Sequence, residues 1–269
     1  MKVTGALRYD IPTAAVEVAI EVEKNIVGVV TPRAKRPSVI ERAIYLLARV
    51  PFGTSKKRLR LFLLLEWIFR RLSYEESGNF IEDAYQPNVL NTQHFILPLL
   101  QSNFSVLDVG CASGVHSQFI ARHVTSVIGI DYSSQMITSC KNRSIRSNVE
   151  YQLVEAESFL RSGDSKFDLI VLGHILEHLD DPLQFLMLVA SRCNYAYIEV
   201  PDFDYCVTNR YRQMVGSRFL YSDNDHRYEW DRVEMTDLLD RSGMIIKEEE
   251  FRHGVMRYWC ATSESIASS

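Results

Sequence analysis

The stretch VLDVGCASGVHS, residues 106–117, constrains this chain more than any other. Apolar residues of strand character run into a turn of small residues, and a helical segment follows. Gly110, Ala112 and Gly114 occupy that turn. Small residues there let a ligand approach the backbone, and the first turn of the next helix offers unpaired N–H groups. In the dinucleotide fingerprint the middle small residue is glycine, because a pyrophosphate fits against it. Ala112 takes that place here, and Asp108 precedes the turn, which suits a cationic amino-acid end better than a phosphate. A second acid, Asp131, with Tyr132 beside it, ends the next strand in VIGIDYS. A carboxylate at that point can hold both hydroxyls of a ribose.

The alternation continues along the chain. SVIGID, VEYQLVE, FDLIVLG and YAYIEVP read as strands, with helical segments between them. FDLIVLG is apolar throughout, as expected of a strand covered on both faces. Asp181 and Pro182 mark the start of a helix over 182–193. After a helix around 233–242, GMIIKEEEF and VMRYWCAT form a closing strand pair. The fold class expected is α/β, a doubly wound and mostly parallel sheet with an antiparallel C-terminal strand pair. Residues 1–85 read as an N-terminal extension, mainly helical from about 38, and 86–269 as the main domain. Residues 1–37 end in TPRAKRP, a linker by composition. Segments 38–50, 56–72 and 87–101 are expected helices.

This pattern resembles the class I S-adenosylmethionine-dependent methyltransferases, carried by VLDVGCASG, GIDYS, VEAES, FDLIVLGHILEHL and YIEVP over roughly residues 90–262. The resemblance implies that Asp108, Gly110, Ala112 and Gly114 line the methionine end of S-adenosylmethionine. It implies that Asp131 and Tyr132 meet the ribose and that Glu155, with Ala156, faces the adenine. A nicotinamide-binding domain is the competing reading, but the middle glycine is missing and no hydride-transfer machinery is evident.

The acceptor side is expected where the fourth and fifth strands end, at GHILEHL and VPDFDY. His174, Glu177 and His178 stand at i, i+3 and i+4, so one helical turn would set them on a shared face. Two imidazoles and a carboxylate make a partial metal site. In methyltransferases without metal, an LEH sequence here shapes the cofactor pocket or supplies a general base. The HILEH turn together with the later DHRYEW also resembles the small-RNA 3′-terminal 2′-O-methyltransferases. That resemblance implies that Glu177, His178 and His226 bind one divalent ion gripping the terminal ribose. His174 stands where the family has a glutamate, giving a His₃Glu set that favours Mn²⁺, Fe²⁺, Co²⁺ or Zn²⁺ over Mg²⁺. Without a metal, His178 or His226 is the candidate general base, a contribution of about 10²–10⁴-fold.

Composition limits the partners. The 269 residues are 46% hydrophobic and 24% charged, with a net charge of −4. Residues 1–100 carry 14 Lys/Arg against 10 Asp/Glu, and residues 101–269 carry 16 against 24. That acidic balance gives no general pull toward nucleic acid. A small-molecule or glycan hydroxyl is the expected acceptor, with an RNA end as the alternative. Residues 202–230 form an acceptor-side insertion in which Arg210, Arg212 and Arg218 occur with Tyr205, Tyr211 and Tyr221, a composition suited either to holding a sugar ring, a phosphate or an RNA end or to a lid closing over the site. Glu199, Asp202 and Asp204 read either as substrate-orienting groups or as solvated loop acids. Five cysteines lack CxxC spacing, and MKVTGALRYDIP lacks an apolar signal core, so a reduced, cytoplasmic setting is expected. LFLLLEWIF is too short to span a bilayer. With its basic flanks, 56–72 could lie on an anionic membrane surface, though packing on the main domain is the simpler expectation.

Overall fold

The computed structural model describes residues 38–49, 53–163 and 165–262, and the weakly patterned 1–37 with its linker lies outside them. The chain divides into two units, Met1–Leu61 and Phe62–Ser269.

In the first unit α1 (Val39–Ala48) begins with a capping box. The Ser38 hydroxyl accepts the Glu41 N–H at 3.2 Å, and the Glu41 carboxylate accepts the Ser38 N–H at 2.5 Å. Helix α2 (Ser55–Phe80) starts in this unit and continues as one element into the second. It runs eight residues past the expected end at Leu72. Leu63 is its one buried residue. Within the second unit Trp67 stacks on Phe219 at 4.4 Å and donates to the Tyr221 carbonyl at 2.8 Å, and Glu66 accepts from Arg212, so this part of the helix packs on the main domain as expected.

In the second unit, strand alternation sorts apolar residues onto two faces of one sheet. The strands are β1 (Ser105–Val109), β2 (Ser126–Asp131), β3 (Val149–Leu153), β4 (Phe167–Gly173), β5 (Cys193–Pro201), β6 (Met244–Arg252) and β7 (Val255–Thr262). Their order is β3-β2-β1-β4-β5-β7-β6. The first five pair in parallel, and β7 runs antiparallel to both β5 and β6. Leu107, Ile170, Leu172 and Ile198 pack on one face, under Leu186, Val189 and Leu239. Val106, Leu169, Val171 and Tyr197 pack on the other, with Ile96, Ile120 and Trp259. Both faces are therefore covered, which is why β4 needs no polar alternation.

The helices follow their sequence signals. They are α3 (Pro87–Ile96), α4 (Val115–Ile120), α5 (Ser134–Arg143), α6 (Ala156–Ser162), α7 (Pro182–Ala190), α8 (Val207–Val215) and α9 (Arg232–Arg241). Asp181 caps α7, with Pro182 in its first turn. Where a helix to 101 was expected, α3 stops at Ile96 and a 3₁₀ turn, Leu97–Leu99, follows. Pro98 has no N–H with which to continue the ladder.

Candidate functional site

The carboxyl ends of β1 and β2 are stitched together by one acid. Asp131 accepts the Ala112 N–H at 3.0 Å and the Ser133 N–H at 2.8 Å. The loop it holds is left-handed at Gly110, Ala112 and Gly114. At Gly114, φ +77°, a Cβ would stand 2.6 Å from the Tyr151 hydroxyl oxygen and 3.0 Å from Cys140 Sγ, so only glycine fits. Asp108 is buried and accepts the Ser117 hydroxyl. Burial pushes its pKa up to about 6, against the opposing effect of that hydroxyl. Asp108, Gly110, His116, Gly173, His174 and Glu199 line a cavity of about 70 Å³ at the carboxyl ends of β1, β4 and β5. Burial lowers the pKa of His116. Tyr132 is exposed beyond Asp131. Glu155 caps α6 by accepting the Ser158 N–H and hydroxyl at 3.3 and 2.9 Å, and Ala156 opens that helix. These three lie outside the cavity lining.

On the acceptor side the expected helical turn is a 3₁₀ turn over Leu176–His178, which begins beyond His174. His174 itself is left-handed, φ 55°. Its ring spans two carboxylates, Nδ1 to Glu177 at 2.9 Å and Nε2 to Glu199 at 3.1 Å. With both nitrogens taken, His174 does not join the others as the proposed His₃Glu set required. Withdrawal from water disfavours its charge, but the two acids more than offset this and raise its pKa to about 10.

Glu177, His178 and His226 do come together, with ligand atoms within 4.8 Å of one another. Glu177 is fully buried, and its Oε2 has no hydrogen-bond partner among the described residues. The His178 and His226 rings meet edge-on at 4.8 Å. The DHRYEW segment reaches this point because the Arg227 and Tyr228 N–H groups donate to the Glu177 carbonyl at 2.8 and 3.3 Å. Trp230 anchors it in the core, stacked on Tyr228. His226 Nδ1 pairs with Glu229 at 2.7 Å, an oxygen that also accepts the Ser222 N–H at 2.6 Å. Burial lowers the pKa of His226, but Glu229 outweighs it and the net shift is upward. Glu229 was missed in the sequence, although its i+3 spacing from His226 could have marked it. Its bond to Nδ1 is the arrangement in which a second carboxylate orients a metal-binding imidazole. Helix α9 takes its cap from Asp231, so His226 is not a helix cap. A second grouping, Asp223, Asp225 and His226, shares the same imidazole.

Several expected loop groups are buried instead. Glu199 lies directly opposite Arg257 in the β5–β7 register and accepts its Nε–H at 3.0 Å. Thr92 and Tyr197 also donate to Glu199. Asp202 is buried against Arg232 at 2.7 Å. Arg212 is fully buried, bonded to Glu66 at 2.7 Å and to Asn209 at 2.6 Å, so it does not face an acceptor. Arg210 is held by Asp204 and Asp231, both at 2.8 Å.

Residues 81–248 match the model of a methyltransferase domain. The chain belongs to that family. It is a class I S-adenosylmethionine-dependent methyltransferase, with the seven-stranded sheet of that class. Among curated relatives, the ubiquinone biosynthesis O-methyltransferase of Pseudoalteromonas translucida is 38% identical over 87 residues, 32% of this chain and 37% of the relative. The protein of the same name from Hydrogenovibrio crunogenus is 30% identical over 120 residues, 44% and 49% of the two chains. This methyltransferase thus spans half or less of the curated relatives it matches. Magnesium protoporphyrin IX methyltransferase from Synechocystis, with bound SAH, shares the fold at TM-score 0.51 and 12% identity, over 84% of this chain and 95% of that one. N-methyltransferase NodS from Bradyrhizobium japonicum does so at 0.50 and 15%, over 68% and 99%.

Proposed function

We propose that this methyltransferase moves the methyl group of S-adenosylmethionine to a hydroxyl oxygen of a small molecule or glycan, assisted by a divalent ion at Glu177, His178 and His226. One observation carries the reading: a fully buried carboxylate oxygen, Glu177 Oε2, is left without a partner beside two imidazoles. Such an oxygen costs free energy unless something occupies it. The O-methyltransferase names of the curated relatives support an oxygen acceptor. One carboxylate with two imidazoles suits Mn²⁺, Fe²⁺, Co²⁺ or Zn²⁺ better than Mg²⁺. When bound, such an ion lowers the pKa of an alcohol and fixes its orientation. The chain's own part is to hold the acceptor oxygen in line with the sulfonium carbon. Glu229 keeps His226 turned inward, and the Glu177 carbonyl holds the loop closed. We place catalysis in residues 86–269, with 202–230 covering the acceptor side and 1–85 as an extension.

Methylation of a terminal ribose 2′-oxygen on RNA is the second reading, favoured by the same Glu177–His178–His226 grouping. The excess of acids in residues 101–269 weighs against extended RNA contact. The deciding assay transfers labelled methyl into fractionated cell extract after chelation and again after Mn²⁺, Co²⁺ or Mg²⁺ is restored. Label entering glycan or small molecules only with metal supports the proposal. Label in RNA selects the second reading, and turnover indifferent to chelation removes the metal.

We assign Asp108 to the ammonium of the cofactor's methionine end, and its raised pKa gives this a pH signature. Free protein holds the Asp108 proton below about pH 6, and binding a cation expels it. Cofactor affinity therefore rises as pH increases through 6, by up to about tenfold per pH unit below it. Titration calorimetry between pH 5 and 8 checks this, and Asp108→Asn flattens the profile. A wild-type affinity that is flat, or that falls with rising pH, refutes the assignment.

A further inference from the structure

We propose that helix α1 and the first turns of α2, residues 55–61, dock this methyltransferase onto an anionic lipid surface. Helix α1 is two-faced: Val39, Ile40, Ile44 and Leu47 share one side, while Glu41, Arg42, Tyr45 and Arg49 share the other. No residue of this helix is buried. The apolar side stands in water, with Val39 83%, Ile40 72%, Ile44 62% and Leu47 72% exposed. The first turns of α2 add exposed Leu59 and Leu61 beside Lys56 and Lys57. A contiguous apolar face of this kind marks an interaction site rather than an ordinary surface.

Charge selects the occupant. The described residues of this unit carry Arg42, Arg49, Lys56, Lys57, Arg58 and Arg60 against Glu41 alone. A second copy would bring a segment of the same net positive charge beside its own likeness, and lysine is depleted in the cores of protein interfaces. An anionic bilayer meets both features at once: the apolar side enters the boundary of headgroups and acyl chains, and the cations reach phosphates. Either signal alone binds weakly, and the two together hold. No helix among the described residues is long and apolar enough to cross a membrane, so this is attachment in the plane of the surface.

The test is co-sedimentation of the full chain with vesicles of phosphatidylcholine alone and of phosphatidylcholine mixed with phosphatidylglycerol. Binding to the mixed vesicles exceeds that to neutral ones by about tenfold or more and weakens as salt is raised. Ile44→Glu with Leu47→Glu abolishes it, and Lys56→Glu with Lys57→Glu reduces it, while both variants keep wild-type S-adenosylmethionine affinity. Equal partitioning onto neutral vesicles, no binding to either, or binding that survives Ile44→Glu with Leu47→Glu overturns the proposal. So does a concentration-dependent dimer that the same double substitution dissolves, which would make a second copy the occupant. None of these outcomes bears on the acceptor or the metal.

Discussion

His226→Ala lowers turnover by about 10²–10⁴-fold and leaves S-adenosylmethionine affinity unchanged. The separation of the two effects follows from geometry. His226 lies with Glu177 and His178 in the cluster proposed to serve the acceptor, while the cavity lined by Asp108, Gly110 and His116 does not include it. The loop itself does not depend on the imidazole, because Arg227 and Tyr228 hold it through the Glu177 carbonyl and Trp230 anchors it. Glu229→Gln leaves Nε2 in place but weakens the bond that orients the ring. A loss of about 10–100-fold is expected there, the range typical of second carboxylates behind metal-binding imidazoles. Single-turnover assays with calorimetric cofactor binding measure both. Full activity in His226→Ala would reduce DHRYEW to a surface loop, and a parallel loss of cofactor affinity would move His226 into the wrong pocket.

How much of this was legible in the sequence depended on whether the signal was local. Strand β4 and the small-residue turn after β1 could be read directly, since apolar runs and glycine spacing report backbone requirements. The antiparallel pair at the end was equally visible. His174 was misread for a local reason: the i, i+3, i+4 spacing predicts a shared face only on a helix, and its left-handed backbone precedes the turn. The long-range network was hidden. Glu199 in YAYIEVP and Arg257 in VMRYWCAT each look like a charge spoiling an apolar strand. Pairing β5 with β7 sets them opposite each other, and the two anomalies then explain one another. Arg212 shows the reverse error, because a basic residue in an aromatic insertion suggested ligand contact while its partner, Glu66, lies 146 positions away.

That buried pair supports the other large effect, in which Arg257→Met destabilises the protein by about 3–5 kcal/mol. Methionine keeps the volume of the stem, so the loss is electrostatic rather than a cavity. Arg257 is fully buried and donates to Glu199 at 3.0 Å and to Glu250 at 3.1 Å. Burial alone would raise the pKa of Glu199, but His174, Arg257 and Thr92 hold it well below the usual carboxylate range. A carboxylate with a depressed folded pKa adds stability above its unfolded value, near 4.5, and loses it as pH falls further. The deficit of Arg257→Met is therefore largest at neutral pH and shrinks in acid. By calorimetry the drop in Tm is on the order of 10 °C at pH 7. Adding Glu199→Gln recovers part of it, because the second change removes the charge that the first left unpaired. The single variant also frees one side of the carboxylate that steadies His174, and through His174 the Oε1 of Glu177, so turnover falls further than cofactor affinity. A Tm unchanged at neutral pH, or a double variant no more stable than Arg257→Met, would mean that Glu199 finds its compensation from Thr92, Tyr197 and His174 alone.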